Sequence, residues 1–177
     1  MVTIVYYVAI SLDGYIATPD GGIDWLPPLD SESEDFGYAE FYAPIDGLIM
    51  GRHTYEKVLE LGEWMYPDKP CWVCSHQPVE IERSEVILTD KSPGEIAAEL
   101  EAQQLKRVWL VGGGQLASSF RREGLISEYI IAVIPVILGE GIPFLAPSPP
   151  QETLRLVDCK SYDQGAVLLH YVSDRAL

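Results

Sequence analysis

The stretch Leu48-Ile49-Met50-Gly51-Arg52-His53-Thr54-Tyr55-Glu56 decides the fold of this chain. Its apolar beginning predicts a buried strand, Gly51 lets the backbone turn, and the pattern from Arg52 to Leu61 predicts a helix. A helix N-terminus exposes unpaired N–H groups and a partial positive charge, so it attracts anions. The Arg-His-Thr that follows the glycine adds a fixed cation and further hydrogen-bond donors at the same place.

A second turn of this kind occurs later in the chain. Val108-Trp109-Leu110-Val111 predicts a buried strand, Gly112-Gly113-Gly114 a turn, and the segment from Gln115 to Arg122 a helix. Each turn alone is weak support for a binding site, because glycines at strand ends are usually only turns. Two such turns in one small chain predict a cradle for a ligand with several phosphates, and a dinucleotide cofactor is the leading hypothesis.

Length and charge limit the possible functions. The 177 residues predict one domain that spans residues 1–177. The net charge of −15 argues against nucleic acid and against an anionic membrane surface as partners. An anionic cofactor must therefore be held by a local group of basic residues. The candidates for that group are Arg52, His53, Lys57, Lys69 and His76.

The three cysteines predict neither a disulfide framework nor a metal site. Cys71 and Cys74 are spaced as a Cys-x-x-Cys pair, but Cys71-Trp72-Val73-Cys74 has the pattern of a strand, in which the two thiols face opposite sides. The N-terminus has no signal-peptide pattern, and no apolar stretch approaches the length of a membrane span. These features predict a cytoplasmic protein with buried thiols in a reducing compartment.

Strand and helix patterns alternate along the chain. The predicted strands are 3–10, 48–50, 71–75, 85–88, 108–111, 128–138 (interrupted by Pro135), 154–162 and 166–172, and the predicted helices are 31–42, 52–61, 92–105 and 115–122. This alternation predicts an α/β fold with a mostly parallel sheet. The Asp163-Gln164-Gly165 turn predicts a C-terminal antiparallel hairpin.

A family resemblance rests on six short segments that occur in order along nearly the whole chain. They are Ile10-Ser11-Leu12-Asp13-Gly14-Tyr15-Ile16-Ala17, Trp25, residues 50–56, Ser75-His76-Gln77-Pro78, residues 111–114, and Pro135-Val136-Ile137-Leu138-Gly139-Glu140-Gly141. Together they resemble the dihydrofolate reductase-like superfamily, and within it stand-alone relatives of the reductase (C-terminal) domain of bacterial riboflavin-biosynthesis proteins. The resemblance implies a doubly wound sheet, NADPH as hydride donor, and a pterin or pyrimidine-like small molecule as hydride acceptor.

The resemblance also implies which residues contact the cofactor. They are Ala9, Ile16, Gly51, Arg52, His53, Thr54, Ser75, His76, Gly112, Gly113, Gly114, Gln115 and Leu116. The first glycine turn is implied to line the phosphates and the nicotinamide ribose, residues 75–76 the adenosine 2′-phosphate, and the second turn the pyrophosphate. Trp25 is implied to lie in the loop that covers the nicotinamide, although an aromatic residue there also suits simple packing.

Asp35 and Trp25 are the predicted catalytic residues, and Asp35 is the predicted acid. It stands where the folate enzymes carry a substrate-binding carboxylate, which accepts two hydrogen bonds from a planar heterocycle and assists its protonation. The alternative is that Asp35 is an acid in the first turn of a helix, because Asp30, Glu32 and Glu34 crowd the same region.

Departures from the folate enzymes bear on the substrate. Lys69 replaces the arginine that binds the folate glutamate tail, and Ala132 replaces a threonine that partners the carboxylate. Val111 stands where the riboflavin-pathway reductases usually carry a glutamate for the substrate ribose. The preferred function is therefore reduction of a pyrimidine or pterin-like compound, with 5-amino-6-(5-phosphoribosylamino)uracil as the best candidate. The alternatives are dihydrofolate reductase proper and a catalytically silent NADP-binding protein.

Two structural expectations complete the resemblance. A non-proline cis peptide bond is expected between Gly112 and Gly113. A homodimer is also expected, because the apolar run from Tyr129 to Leu138 and Val167-Leu168-Leu169 supply more apolar surface than one sheet edge requires.

Overall fold

A computed structural model describes residues 1–27 and 35–174. Its centre is an eight-stranded sheet, accompanied by a small two-stranded sheet. The strands are β1 (Thr3–Ser11), β2 (Tyr15–Ala17), β3 (Gly47–Gly51), β4 (Cys71–Cys74), β5 (Val86–Thr89), β6 (Arg107–Gly112), β7 (Glu128–Ile134), β8 (Ile142–Pro143), β9 (Leu154–Ser161) and β10 (Val167–Ser173). The helices are α1 (Tyr38–Tyr42), α2 (Arg52–Glu60), α3 (Pro93–Ala102) and α4 (Gly114–Arg122).

The large sheet has the strand order β5-β4-β3-β6-β1-β7-β10-β9. The strands from β5 to β7 pair in parallel, whereas β10 pairs antiparallel with both β7 and β9. Residues 48–50 of β3 are fully buried, as expected for a parallel strand that is covered on both faces. The predicted α/β fold, with a mostly parallel sheet and a C-terminal hairpin, is confirmed.

The helices cover opposite faces of the sheet. Successive residues of β6 point to opposite faces of the sheet, so Leu110 lies in one apolar cluster and Trp109 in the other. Helices α3 and α4 contribute to the cluster of Leu110, and α1 and α2 contribute to that of Trp109. None of the helices in the described part of the chain is long and apolar enough to span a bilayer.

Three predicted boundaries were wrong, each for a local reason. The helix predicted over residues 31–42 begins only at Tyr38 within the described residues, because Phe36 (φ 50°) and Gly37 (φ 79°) are left-handed. Its predicted first part, residues 31–34, lies outside the described residues. Strand β7 ends at Ile134, because Pro135 lacks the N–H that a strand ladder requires. Helix α3 ends at Ala102, shortly before Gln104 (φ 63°), although its capping box between Ser92 and Glu95 is present.

Strand β9 forms the C-terminal edge of the large sheet. Strands β7 and β10, which carry the apolar segments that suggested a dimer, each have a neighbour on both sides. The exposed apolar residues at this edge are Leu156 and Val157, each with a relative exposure of 50%. An open edge of this kind favours pairing with a second chain.

We therefore expect a homodimer through β9. Light scattering at micromolar concentration should give twice the mass of one chain. Val157→Lys should shift the protein towards monomer, because it places a charge in the interface. Leu61→Lys is the matched control, since Leu61 is as exposed (49%) but lies beside α2. A monomer mass for the wild type would contradict this expectation.

Candidate functional site

The two strand–glycine–helix turns lie side by side in the structure. Strands β3 and β6 are parallel neighbours, and Met50 pairs with Gly112. A Cβ atom built on Gly113 would lie 3.7 Å from the hydroxyl oxygen of Thr54, in the first turn of α2. The two turns are therefore neighbours at the edge of the sheet formed by the carboxyl ends of the strands.

Helices α2 and α4 diverge from this edge onto opposite faces of the sheet. Such a divergence leaves a crevice at the carboxyl ends of the strands, where ligands bind in open α/β sheets. The N-cap residues are Gly51 and Gly113, and neither helix start is capped by a side-chain hydrogen bond. The first N–H groups of both helices are therefore not taken up by a capping side chain and can serve an anion.

The glycine turn after β6 is open on one side and closely packed on the other. The predicted cis peptide bond between Gly112 and Gly113 is confirmed. A Cβ atom on Gly113 would meet nothing nearer than the Thr54 hydroxyl, at 3.7 Å. A Cβ atom on Gly114 would lie only 2.2 Å from the carbonyl oxygen of Pro143. A Cβ atom at Gly113 would therefore meet Thr54 at an ordinary contact distance, whereas Gly114 fits closely against residues 143–144.

Arg52 and His53 place positive charge at the start of α2. The side chain of Arg52 is 30% exposed, and its Nη1 lies 3.5 Å from Oε1 of Glu56. His53 is 86% exposed, and its Nδ1 lies 3.4 Å from the other oxygen of Glu56. A bound phosphate group would compete with Glu56 for both side chains.

Ser75 and His76 follow β4 at the same edge of the sheet. Gly51 pairs with Cys74, so Ser75 stands one step beyond β4 much as Arg52 stands one step beyond β3. The Ser75 hydroxyl donates to the Gln77 carbonyl (2.8 Å) and accepts from the Gln77 N–H (3.0 Å), which holds the turn in shape. His76 is exposed. The structure thus brings these residues to the edge that carries Arg52.

The predicted residues of α4 lie in its first turn. Gln115 is exposed, whereas Leu116 is partly buried against the sheet. A Cβ atom on Gly51 would lie 4.0 Å from Cδ2 of Leu116. Leu116 therefore packs close to the first glycine turn.

Ala9, Trp25 and Ile16 were predicted to lie together around the nicotinamide. Ala9 pairs with Ala132 across β1 and β7, and both belong to a cluster that also contains Trp25. Ile16 packs instead against the apolar cluster that contains α3 and α4. Within the described residues the structure brings Ala9 and Trp25 together but does not place Ile16 in their cluster.

Asp35 is exposed and holds the start of α1. One carboxylate oxygen accepts from the N–H of Gly37 and the other from the N–H of Ala39, both at 2.9 Å. These two hydrogen bonds keep the pKa of Asp35 below its ordinary value. The observed contacts match the alternative of a helix-start acid, and the catalytic role of Asp35 stays a prediction.

Tyr162 and Phe36 were not identified from the sequence, yet both lie in the cluster with Ala9 and Trp25. Their rings meet edge to face with centroids 5.1 Å apart. Tyr162 ends the strand pattern just before the hairpin turn, so its sequence position predicts only a strand residue. Its proximity to Ala9 depends on β10 pairing with β7, which no local pattern indicates.

Lys69 has a structural role in the observed contacts. Its Nζ donates to the carbonyl oxygens of Tyr42 and Ile45 and lies 4.4 Å from the centroid of the Tyr42 ring. These contacts tie Lys69 to the end of α1. It is therefore not a free cation for an anionic ligand.

The thiols of Cys71 and Cys74 are poor metal ligands. Burial raises the pKa of each to about 12, so both remain protonated at neutral pH. Across residues 1–27 and 35–174, no group of three or more His, Cys, Asp and Glu side chains is arranged to hold a metal ion.

An apolar groove of about 360 Å³ lies on the face of the sheet opposite the Trp25 cluster. Ile131 and Leu169 line it, whereas their neighbours Ala132 and Leu168 point to the other face. The groove is therefore separate from the cluster that contains Ala9 and Trp25.

Comparisons with known proteins agree with this architecture. The family model for the RibD C-terminal domain matches residues 67–168. The uncharacterized Bacillus subtilis protein YwjB is 40% identical over 169 residues, covering 95% of this chain and 96% of YwjB.

Solved structures show the same fold. A Shewanella sp. PV-4 protein provisionally assigned to riboflavin biosynthesis has a TM-score of 0.86 and 29% identity, covering 98% of this chain and 99% of its own. The Thermotoga maritima diaminohydroxyphosphoribosylaminopyrimidine deaminase/5-amino-6-(5-phosphoribosylamino)uracil reductase has a TM-score of 0.72 and 16% identity. That match covers 97% of this chain but 56% of the Thermotoga chain, so this chain corresponds to about half of that protein.

Proposed function

The chain belongs to the RibD C-terminal domain family, and from this membership we propose that it is an NADPH-dependent reductase of a pyrimidine or pterin-like heterocycle. Its best candidate substrate is 5-amino-6-(5-phosphoribosylamino)uracil, the compound named in the activity of the Thermotoga relative. The reaction belongs to riboflavin biosynthesis.

One observation carries the proposal. Two uncapped helix starts, α2 and α4, lie where β3 and β6 run side by side, and Gly113 places no side chain beside Thr54. Backbone N–H groups from two helices suit a ligand with two or more phosphates. This arrangement supports a dinucleotide better than a ligand with a single anionic group.

The residues at the edge of the sheet fit NADPH. The turns at Gly51 and Gly113 would hold the pyrophosphate through backbone N–H groups, and Arg52, with Ser75 and His76 nearby, would meet the 2′-phosphate. When bound, NADPH supplies the hydride. The cluster of Ala9 and Trp25 offers an apolar surface that excludes water from the reacting rings.

Dihydrofolate is a weaker substrate candidate. Lys69, which stands where the folate enzymes bind the glutamate tail, is engaged by the carbonyl oxygens at the end of α1. Ala132 lacks the hydroxyl that would partner a substrate-binding carboxylate, and the Asp35 carboxylate is engaged by two backbone N–H groups. These contacts favour a pyrimidine substrate over folate.

A substrate screen tests the proposal. NADPH oxidation is followed with 5-amino-6-(5-phosphoribosylamino)uracil, dihydrofolate, a reduced pterin and a quinonoid compound as separate acceptors. We expect turnover with the aminouracil and little with dihydrofolate. Turnover of dihydrofolate alone would identify a dihydrofolate reductase, and NADPH binding without any turnover would identify a silent NADP-binding protein.

A further inference from the structure

Two buried polar atoms in the cluster around Ala132 lack hydrogen-bond partners within the described part of the chain. They are Nε1 of Trp25 and the hydroxyl oxygen of Tyr162. A buried donor without an acceptor destabilises a protein, and most such groups in native structures are paired. Two unmatched groups in one small cluster therefore need an explanation.

The cluster lies on the side of the sheet where the acceptor ring is expected. Ala9 and Ala132 pair towards the carboxyl ends of β1 and β7 and form its floor. Tyr7 precedes it on β1, and burial, together with the nearby Tyr162 and Asp35 side chains, raises the pKa of Tyr7 to about 12. Tyr162 thus stands close to both β1 and the start of α1.

Residues 36–37 pack against Tyr162. The Phe36 ring contacts the Tyr162 ring, and a Cβ atom on Gly37 would lie 3.3 Å from the Tyr162 hydroxyl oxygen. A planar ligand that takes the place of residues 36–37 would meet the Tyr162 ring and reach its hydroxyl.

We infer that the indole N–H of Trp25 and the hydroxyl of Tyr162 bind the carbonyl oxygens of the heterocyclic substrate. An indole N–H only donates a hydrogen bond, whereas a tyrosine hydroxyl can donate or accept one, so the pair matches two ring carbonyl oxygens. The indole N–H does not match a ring amino group, because both groups are donors. The site therefore selects a pyrimidinedione over a diaminopyrimidine. This inference rests on the proposed function and names Tyr162 as a residue that binds the substrate, with the donor-only indole of Trp25 providing the selectivity.

Binding of two small probes tests the inference. Calorimetry with 5,6-diaminouracil and with 2,4,5,6-tetraaminopyrimidine compares a ring that carries two carbonyl groups with one that carries amino groups in their place. We expect the uracil to bind more tightly to the wild type. Tyr162→Phe should weaken uracil binding by about five- to tenfold, the value of one neutral hydrogen bond.

Tyr42→Phe is the matched control. The Tyr42 hydroxyl is also buried without a partner among the described residues, but it belongs to the aromatic cluster around Trp109. Its removal should leave the binding of 5,6-diaminouracil unchanged. Tyr162→Phe should also keep or raise the melting temperature, because it removes an unmatched polar group.

Several outcomes would overturn the inference. They are equal binding of the two probes, no binding of 5,6-diaminouracil, unchanged uracil binding in Tyr162→Phe, or a lower melting temperature in that variant. A separate titration with NADPH distinguishes these outcomes from failure of the proposed function. Loss of NADPH binding with intact uracil recognition would reject the reductase and keep the heterocycle site.

Discussion

Gly113→Val should weaken NADPH binding by about a hundredfold or more and leave the fold intact. The new Cβ atom would lie 3.7 Å from the Thr54 hydroxyl oxygen, which is an ordinary contact distance. The backbone at Gly113 is extended (φ −83°, ψ 167°), which valine adopts readily. The variant should lose binding free energy for NADPH, because the side chain would displace a phosphate from two or more charge-assisted hydrogen bonds of about 1.5–3 kcal/mol each.

Gly114→Val provides the contrast. Its Cβ atom would lie 2.2 Å from the Pro143 carbonyl oxygen, so the backbone itself must move. This variant should lose about 3 kcal/mol or more of folding free energy, and cofactor binding would fall as a consequence. Thermal unfolding and calorimetric titration of both variants separate the two effects. If Gly113→Val binds NADPH as the wild type does, the phosphates do not lie at this turn.

Glu128→Gln should lower the free energy of unfolding by about 2–3 kcal/mol, less than for a fully buried ion pair. The Glu128 oxygens accept from Arg107 at 2.7 and 2.9 Å, and Nε2 of His170 lies 2.8 Å from Oε2. The Glu128 side chain is only 16% exposed, so the variant leaves the Arg107 charge without its carboxylate. Urea denaturation measures the change. NADPH affinity should be unchanged, because these residues lie at the opposite end of the sheet.

The effect of Glu128→Gln should depend on pH. Burial alone would raise the pKa of Glu128, but Arg107 and then His170 outweigh it and hold the pKa below its ordinary value. The ionised Glu128 carboxylate therefore stabilises the fold fully above its unfolded-state pKa of about 4.5. This stabilisation is lost as the pH falls through the folded-state pKa of Glu128. The difference between wild type and variant should shrink in acid.

Glu60→Gln is the control for the loss of one carboxylate. Glu60 pairs with Lys57 at 3.1 Å, but its side chain is 66% exposed, and exposed pairs contribute little. We expect a change below about 0.5 kcal/mol for this variant. An equal loss of stability in both variants would mean that the contacts of Glu128 stabilise the fold no more than an exposed ion pair does.

The sequence predicted the architecture because its signals are local. The apolar run before Gly51, the capping box at Ser92, and the turn before Gly165 each specify one element through nearby residues. The two-stranded sheet of β2 and β8 was missed, because Ile142–Pro143 is too short to show a pattern. The helix start near Asp35 was misplaced, because no rule of composition predicts a left-handed Phe36.

The candidate site was predicted less completely than the fold. The glycine turns were found, because both halves of each turn are contiguous in sequence. Tyr162 was missed, because it meets Trp25 and Phe36 only after the hairpin has paired with β7. The structural role of Lys69 could likewise not be predicted from the sequence, since its carbonyl partners lie more than twenty residues earlier in the chain.

The central claim is that the crevice between the two glycine turns binds NADPH and recognises its 2′-phosphate. Calorimetric titration of NADPH and NADH against the wild type, Arg52→Ala and Lys57→Ala tests it most directly. Lys57→Ala also removes one positive charge, but from the last turn of α2, and so controls for the change in net charge. We predict that the wild type prefers NADPH by about tenfold or more, that Arg52→Ala loses this preference, and that Lys57→Ala keeps it. Equal affinities of the wild type for the two cofactors, or no binding of either, would contradict the account.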